Sequence, residues 1–96
     1  MTTTATPLSI YQLRIVLRGI SPLIWRRVLV RSEMTLAYLH VLLQIVLAWS
    51  DEHLHSFYIH GTEYGSSGAS THAVRLHGLC LHRGERFRYV YDFGAY

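Results

Sequence analysis

The stretch TLAYLHVLLQIVLAW, residues 35–49, sets the architecture. Leu36, Leu39, Leu42, Leu43, Val46 and Leu47 recur at helical spacing, and Ala37, His40, Val41, Gln44 and Ala48 form a narrower, less apolar strip on the opposite side. Thr35 fits the N-cap position, where its hydroxyl accepts from a free backbone N–H one turn on. The run from Leu36 to Trp49 is broken by His40 and Gln44, and it is shorter than the roughly 20 residues a membrane-spanning helix needs. It reads as a core helix lying across a sheet, and it ends near Trp49 because Ser50-Asp51 is turn chemistry.

Strand patterns flank the helix on both sides. Tyr11, Leu13, Ile15 and Leu17 alternate with Gln12, Arg14, Val16 and Arg18, as a half-buried strand does. Gly19 and Ser21-Pro22 interrupt the pattern, and a second strand runs from Ile24 to Arg31. After the helix, Leu54 to Tyr64 reads as a third strand, Gly65-Ser66-Ser67-Gly68 as a loop and Ala73 to Leu76 as a short strand. Arg83-Gly84 is a turn. In the last strand, Arg86 to Phe93, the rings of Phe87, Tyr89, Tyr91 and Phe93 face one way. The expected fold is α+β, with a mainly antiparallel sheet in the order β-β-α-β-(β)-β and one long core helix packed across it. Residues 1–9 read as a flexible leader and 10–96 as a single domain.

Ninety-six residues allow one domain, and a chain that is half hydrophobic and 16% charged is not a disordered tail. The single cysteine, Cys80, excludes an internal disulfide, and its neighbours Leu79 and Leu81 predict a buried, inert thiol. No secretory signal opens the chain, so a cytoplasmic location is expected, with no membrane partner. All nine basic residues are arginine. That bias reads either as bidentate recognition of phosphates and carboxylates or as the imprint of a GC-rich gene. A net charge of +3 permits a nucleic-acid partner without demanding one.

Seven histidines raise the question of a metal. His53 and His55 are the candidate ligands, but the chain has no Cys pair, no His-x-x-x-His on the helix and no compact ligand block. Asp92-Phe93-Gly94 spells the magnesium-binding motif of protein kinases, whose chemistry also needs a strand lysine, and this chain has none. No serine, threonine or cysteine stands in a nucleophile context, so no catalytic residue and no cofactor is expected. Arg14, Arg18, Arg27, Arg31, Arg86 and Arg88 project from strands and together form a candidate basic face, interleaved with aromatic rings, for nucleic acid. The plain alternative is the solvated outer side of an antiparallel sheet.

Several motifs in order resemble a known family. Ile20-Ser21-Pro22, Trp25-Arg26-Arg27-Val28, Thr35-Leu36 with Leu39-His40, Trp49 with His53-Leu54-His55 and Phe57, Tyr64-Gly65 and Tyr89-Val90-Tyr91-Asp92-Phe93-Gly94 are similar to the plasmid ORF-3-like family. Its members are also known as passenger proteins of insertion elements, sometimes under the name TnpR. The resemblance spans roughly Ser9 to Gly94 and implies an α+β domain with no established reaction. Ala48 stands where the family often has glycine, which is expected to lengthen the helix. The family typically continues beyond Asp-Phe-Gly, so this chain resembles the N-terminal part of a longer domain.

The expected function is an accessory or binding module of a plasmid or insertion element. Trp25, Arg26, Arg27, Trp49, His53, His55 and Asp92 are its candidate binding residues, with Arg26 expected to pair with Asp92. Its partner would be an unidentified macromolecule, protein or nucleic acid. A homodimer through an exposed aromatic C-terminal strand is a further expectation. The alternatives are a nucleic-acid-binding protein and a small metal-dependent hydrolase using His53 and His55.

Overall fold

Two antiparallel sheets flank one helix in the computed structural model, which describes residues 9–19, 21–65 and 70–91. Strands β1 (Ile10–Val16) and β2 (Trp25–Arg31) form a hairpin in the register Tyr11↔Val30, Leu13↔Val28, Ile15↔Arg26. Helix α1 spans Leu36–Val46. Strands β3 (His55–Ile59), β4 (Thr62–Gly65) and β5 (Arg88–Tyr91) make a second sheet in the order β4-β3-β5. The chain is α+β and its sheets are antiparallel, as the sequence patterns predict.

Period two explains the hairpin. Tyr11, Leu13, Ile15, Val28 and Val30 turn inward onto the core, whereas Ile10, Gln12, Arg14, Val16, Trp25, Arg27, Leu29 and Arg31 remain exposed. Ser9, at the end of the expected leader, extends the ladder: the Ser32 N–H donates to the Ser9 carbonyl at 2.8 Å, and the Ser9 N–H donates to Ser32 Oγ at 3.1 Å. Arg26 points to the inner side only at the strand's exposed end. Its guanidinium donates to the Trp25 carbonyl at 2.8 Å in solvent and therefore needs no carboxylate. Asp92, its expected partner, lies outside the described residues.

The helix is closed at both ends. Thr35 Oγ1 accepts the Tyr38 N–H at 3.1 Å, while the Leu36 and Ala37 N–H groups donate to the carbonyls of Val74 and Thr71. Three donors that helix geometry leaves free are thereby paired. At the other end the Ala48 N–H donates to Ile45 and the Trp49 N–H to Gln44, with Ala48 left-handed at φ 58°. These bonds form a Schellman stop, in which glycine is the favoured residue at the left-handed position. Ala48 thus does not lengthen the helix; the helix ends at Val46 with Ala48 in the glycine conformation.

Three expectations are corrected along the second half. Leu54 to Tyr64 is not one strand but the β3–β4 hairpin, because His60 and Gly61 both adopt positive φ (51° and 78°), as a two-residue type I′ turn requires. Ala73 to Leu76 yields only an isolated Thr35↔Arg75 bridge, and the chain then enters a short 3₁₀ turn over Leu76–Leu79. Cys80 is exposed, since its left-handed backbone (φ 53°) turns the chain outward just after buried Leu79.

One interior joins the elements: Val30 from β2, Leu36, Leu39 and Leu43 from α1, Phe57 and Ile59 from β3, and Leu76 and Leu79 from the 3₁₀ turn. Phe87 and Tyr89 pack against this cluster, with ring centroids 6.4 Å and 4.8 Å from Phe57. Two of the four rings on the aromatic side of the last strand thus rest, half-buried, on the chain's own core; Phe93 lies outside the described residues. No described helix is long and apolar enough to cross a membrane.

Two substitutions test this account. Ala48→Gly relieves the left-handed backbone and should raise stability by about 0.5–1 kcal/mol in urea unfolding, even after the extra freedom glycine gives the unfolded chain. Gly65→Ala should lower it by about 1–3 kcal/mol, since a Cβ there would stand 2.7 Å from the His55 carbonyl oxygen at a φ of 131°.

Candidate functional site

The helix strip that reads as its less apolar side is in part buried. Val41 and Ala48 are exposed, but His40 and Gln44, one turn apart, are 7% and 4% exposed and face β5. Tyr38, Val41 and Ile45 take the solvent side instead. The helix is apolar nearly all round, so leucine spacing alone does not reveal that two polar groups point inward.

There they meet Tyr89 and Asp51. The His40 Nδ1 lies 2.6 Å from the Tyr89 hydroxyl and its Nε2 lies 2.7 Å from Asp51 Oδ1. The Gln44 amide donates to the Tyr89 oxygen at 2.8 Å, and the Asp51 backbone N–H donates to Gln44 Oε1 at 2.8 Å. One proton arrangement satisfies every member. Nε2–H of a neutral His40 donates to the Asp51 carboxylate, the Tyr89 O–H donates to Nδ1, and Tyr89 accepts from Gln44. The four residues then close a ring in which each donor runs the same way round.

Local structure places each member. His40 and Gln44 share a helix face, and the Schellman stop brings Asp51 back under the helix end with its own backbone left-handed (φ 57°). Tyr89 enters from β5, beside Phe57 in the register. His55, at the start of β3, stacks on His40 with centroids 3.6 Å apart and planes at 13°. Burial first, and then the neighbouring His40, push the His55 imidazole below its ordinary 6.5, with Asp51 pulling the other way. Burial, chiefly, lifts the Tyr89 phenol to about 12; the Gln44 hydrogen bond opposes the shift.

Next to the ring is an open cleft of ≈ 400 Å³ lined by Ala48, Trp49, Ser50, His53 and Tyr91. Trp49 stacks on Tyr91 with centroids 5.0 Å apart, and His53 meets Tyr91 edge-on at 5.6 Å. The Tyr91 hydroxyl accepts the Glu52 N–H at 2.8 Å. Of the expected binding residues, Trp49, His53 and His55 are thus brought together around the ring and its cleft. Among the described residues, no group of three or more His, Cys, Asp or Glu side chains is placed to hold a metal ion.

Trp25, Arg26 and Arg27 stand elsewhere, on the exposed hairpin. Arg14 and Arg27 are directly opposite in the register, and their guanidinium carbons lie 5.3 Å and 5.4 Å from the centroid of the Trp25 ring. Arg31 follows on the same face of β2, and Arg18 is exposed beyond the end of β1. The expected basic face does not extend to the last strand, because β5 pairs with β3 rather than with the hairpin. Arg88 lies there over Tyr58, at 4.8 Å, with exposed Arg86 preceding the strand.

A second exposed cluster gathers at His60, His82 and Glu85. Glu85 is bonded to the His60 side chain and accepts the His82 N–H at 2.8 Å. These contacts hold its carboxyl below the ordinary 4.5, the His82 N–H contributing most.

The ring and the His55 imidazole stacked on it both bear on stability. Tyr89→Phe leaves the Gln44 amide and His40 Nδ1 without their partner, and should lower stability by about 1–3 kcal/mol in denaturant unfolding. The folded chain disfavours a charged His55, so that contribution is complete above about pH 6.5 and falls as the pH drops below it. Unfolding midpoints at about pH 7.5 and about pH 5.5 should differ in that sense, and His55→Phe should flatten the difference. Glu85 acts in a separate window, its contribution being lost only as the pH falls below about 4.5.

Comparison with other proteins bears on the whole fold. The chain is 30% identical over 94 residues to the uncharacterized protein y4hQ of Sinorhizobium fredii (strain NBRC 101917 / NGR234), covering 90% of this chain and 48% of that protein. It is also similar to the crystal structure of MM3350, a protein of unknown function from Methanosarcina mazei Go1. There the identity is 33% and the TM-score 0.78, over 88% of this chain and 53% of the other. The chain spans about half the length of both. The family model described as plasmid pRiA4b ORF-3-like protein matches residues 9–96, and this chain belongs to that family.

Proposed function

We propose that this chain is a non-catalytic binding module, an accessory of a plasmid or insertion element, whose exposed hairpin face meets another macromolecule. The observation that carries this reading is the closure of the His40–Asp51–Gln44–Tyr89 ring. It is the described cluster with the most chemistry-bearing groups, yet its side-chain hydrogen bonds join its members to one another, with only the Asp51 carboxylate reaching solvent, 56% exposed. Its phenol at about 12 is also far from the range useful to a nucleophile or proton carrier near neutral pH. The ring serves the fold, and the surface left for function is the hairpin with its exposed Trp25 and Leu29. The family match supports the plasmid setting, and the motif order resembling insertion-element passengers supports the narrower one. A hydrolase built on His53 and His55 has less support, since both imidazoles are engaged with aromatic neighbours.

The test is a photo-crosslinking residue at Leu29, which is 68% exposed, in cells that carry the gene. One dominant adduct is expected, lost when Trp25→Ala and Arg27→Ala are combined and retained with Tyr89→Phe. An adduct pattern identical to that from Tyr38 on the solvent side of the helix would overturn the reading.

A further inference from the structure

The charge of this chain is unevenly placed. Five of the nine arginines, Arg14, Arg18, Arg26, Arg27 and Arg31, fall in the first 32 residues, which contain no aspartate or glutamate. The remaining 64 residues hold four arginines and all six acids. The small net charge of the whole therefore conceals a strongly basic hairpin beside a mildly acidic body.

Geometry sharpens that asymmetry on the outer face. Like charges directly across an antiparallel pair repel, and Arg14 faces Arg27 in that relation. Neither is neutralised: among the described residues no carboxylate forms an ion pair with Arg14, Arg27 or Arg31. Both guanidinium groups lie against the Trp25 indole, which is 41% exposed, with their carbons 5.3 Å and 5.4 Å from its centroid. These two cation–π contacts steady the indole while part of its surface stays open to solvent. An uncompensated pair of guanidinium groups supplies bidentate donors for phosphate oxygens, and an open indole supplies a platform for a planar base.

We infer that the outer face of the β1–β2 hairpin binds single-stranded nucleic acid, with a base stacked on Trp25 and phosphates held by Arg14, Arg27 and Arg31. The inference rests on the binding-module reading and specifies its partner. Charge complementarity selects a polyanion, and the exposed ring selects one whose bases are unpaired. In a duplex the base faces are already stacked and Trp25 has nothing to cover. Non-polar Leu29, beside Arg27 and Arg31 on the same face, adds apolar contact to a splayed base or sugar.

Fluorescence anisotropy with the full chain tests this, using a labelled oligothymidylate, the same strand paired with oligodeoxyadenylate, and polyglutamate as a polyanion without bases. The single strand is expected to bind most tightly, with affinity falling steeply between about 20 and about 150 mM salt. Trp25→Ala should weaken that binding about 5- to 100-fold while Trp25→Phe largely preserves it. Arg14→Gln and Arg27→Gln should each reduce the logarithmic salt slope by about 0.7. Thermal unfolding of each variant confirms that the hairpin is intact, as expected for exposed positions.

Equal or tighter binding of the duplex or of polyglutamate would overturn the inference, as would no binding of the single strand at low salt. Nuclease treatment of the Leu29 adduct separates the two levels of the argument. An adduct that nuclease destroys is the expected result; one that resists nuclease and yields to protease would overturn the nucleic-acid partner and leave the binding module standing. No adduct at all would remove both.

Discussion

The 2.6 Å contact between the His40 imidazole and the Tyr89 hydroxyl is the point on which the second sheet is aligned with the helix. Leucine and phenylalanine contacts bring α1 and the β3–β5 pair together, but apolar packing is indifferent to small slides. A buried imidazole and a half-buried phenol are not, because each loses water on packing and takes a partner at hydrogen-bond distance in its place. The ring through Gln44 and Asp51 adds a second requirement: the loop after the helix has to return at one angle for the Asp51 N–H to reach Gln44. Burial of polar groups here fixes register more than it adds stability.

The same helix end shows how backbone and side chain cooperate. Gln44 uses its main-chain carbonyl to accept Trp49 and its side-chain carbonyl to accept Asp51. One residue thus closes the helix and positions the acid of the ring. Ala48 accepts an unfavourable conformation so that this turn can form, and the aromatic pair of Trp49 and Tyr91 closes over it. The cleft beside the ring is a by-product of that turn.

Strands β1 and β2, the helix, its Thr35 cap and the inward face of β1 were legible, because each rests on a period or a local hydrogen bond; the face that β2 buries was not, since Arg26 shares its apolar side. The His60–Gly61 turn was not, since histidine is an uncommon occupant of a left-handed site and the flanking alternation continues across it. Cys80 escaped for a similar reason: leucine neighbours argue for burial, while a single positive φ reverses the chain's direction. In the site, Trp49, His53 and His55 were found from the sequence as separate motif residues. The ring that organises them was hidden, because His40, Gln44, Asp51 and Tyr89 are distant in the chain and only the packed helix reveals which of its sides is inner. The arginine face was half legible. Alternation assigns Arg14, Arg27 and Arg31 to one side of a strand, but nothing local says that Arg86 and Arg88 belong to a different sheet.

A two-stranded ribbon is normally too weak to stand alone in water. Here Val30 is buried to 2% exposure, and Tyr11, Leu13, Ile15 and Val28 lean on the same interior. The ribbon is consequently backed like a veneer glued to a board: its bare side stays in register whether or not anything touches it. A visitor landing on that bare side would meet a surface already set, and little of its binding free energy would be spent on ordering the host.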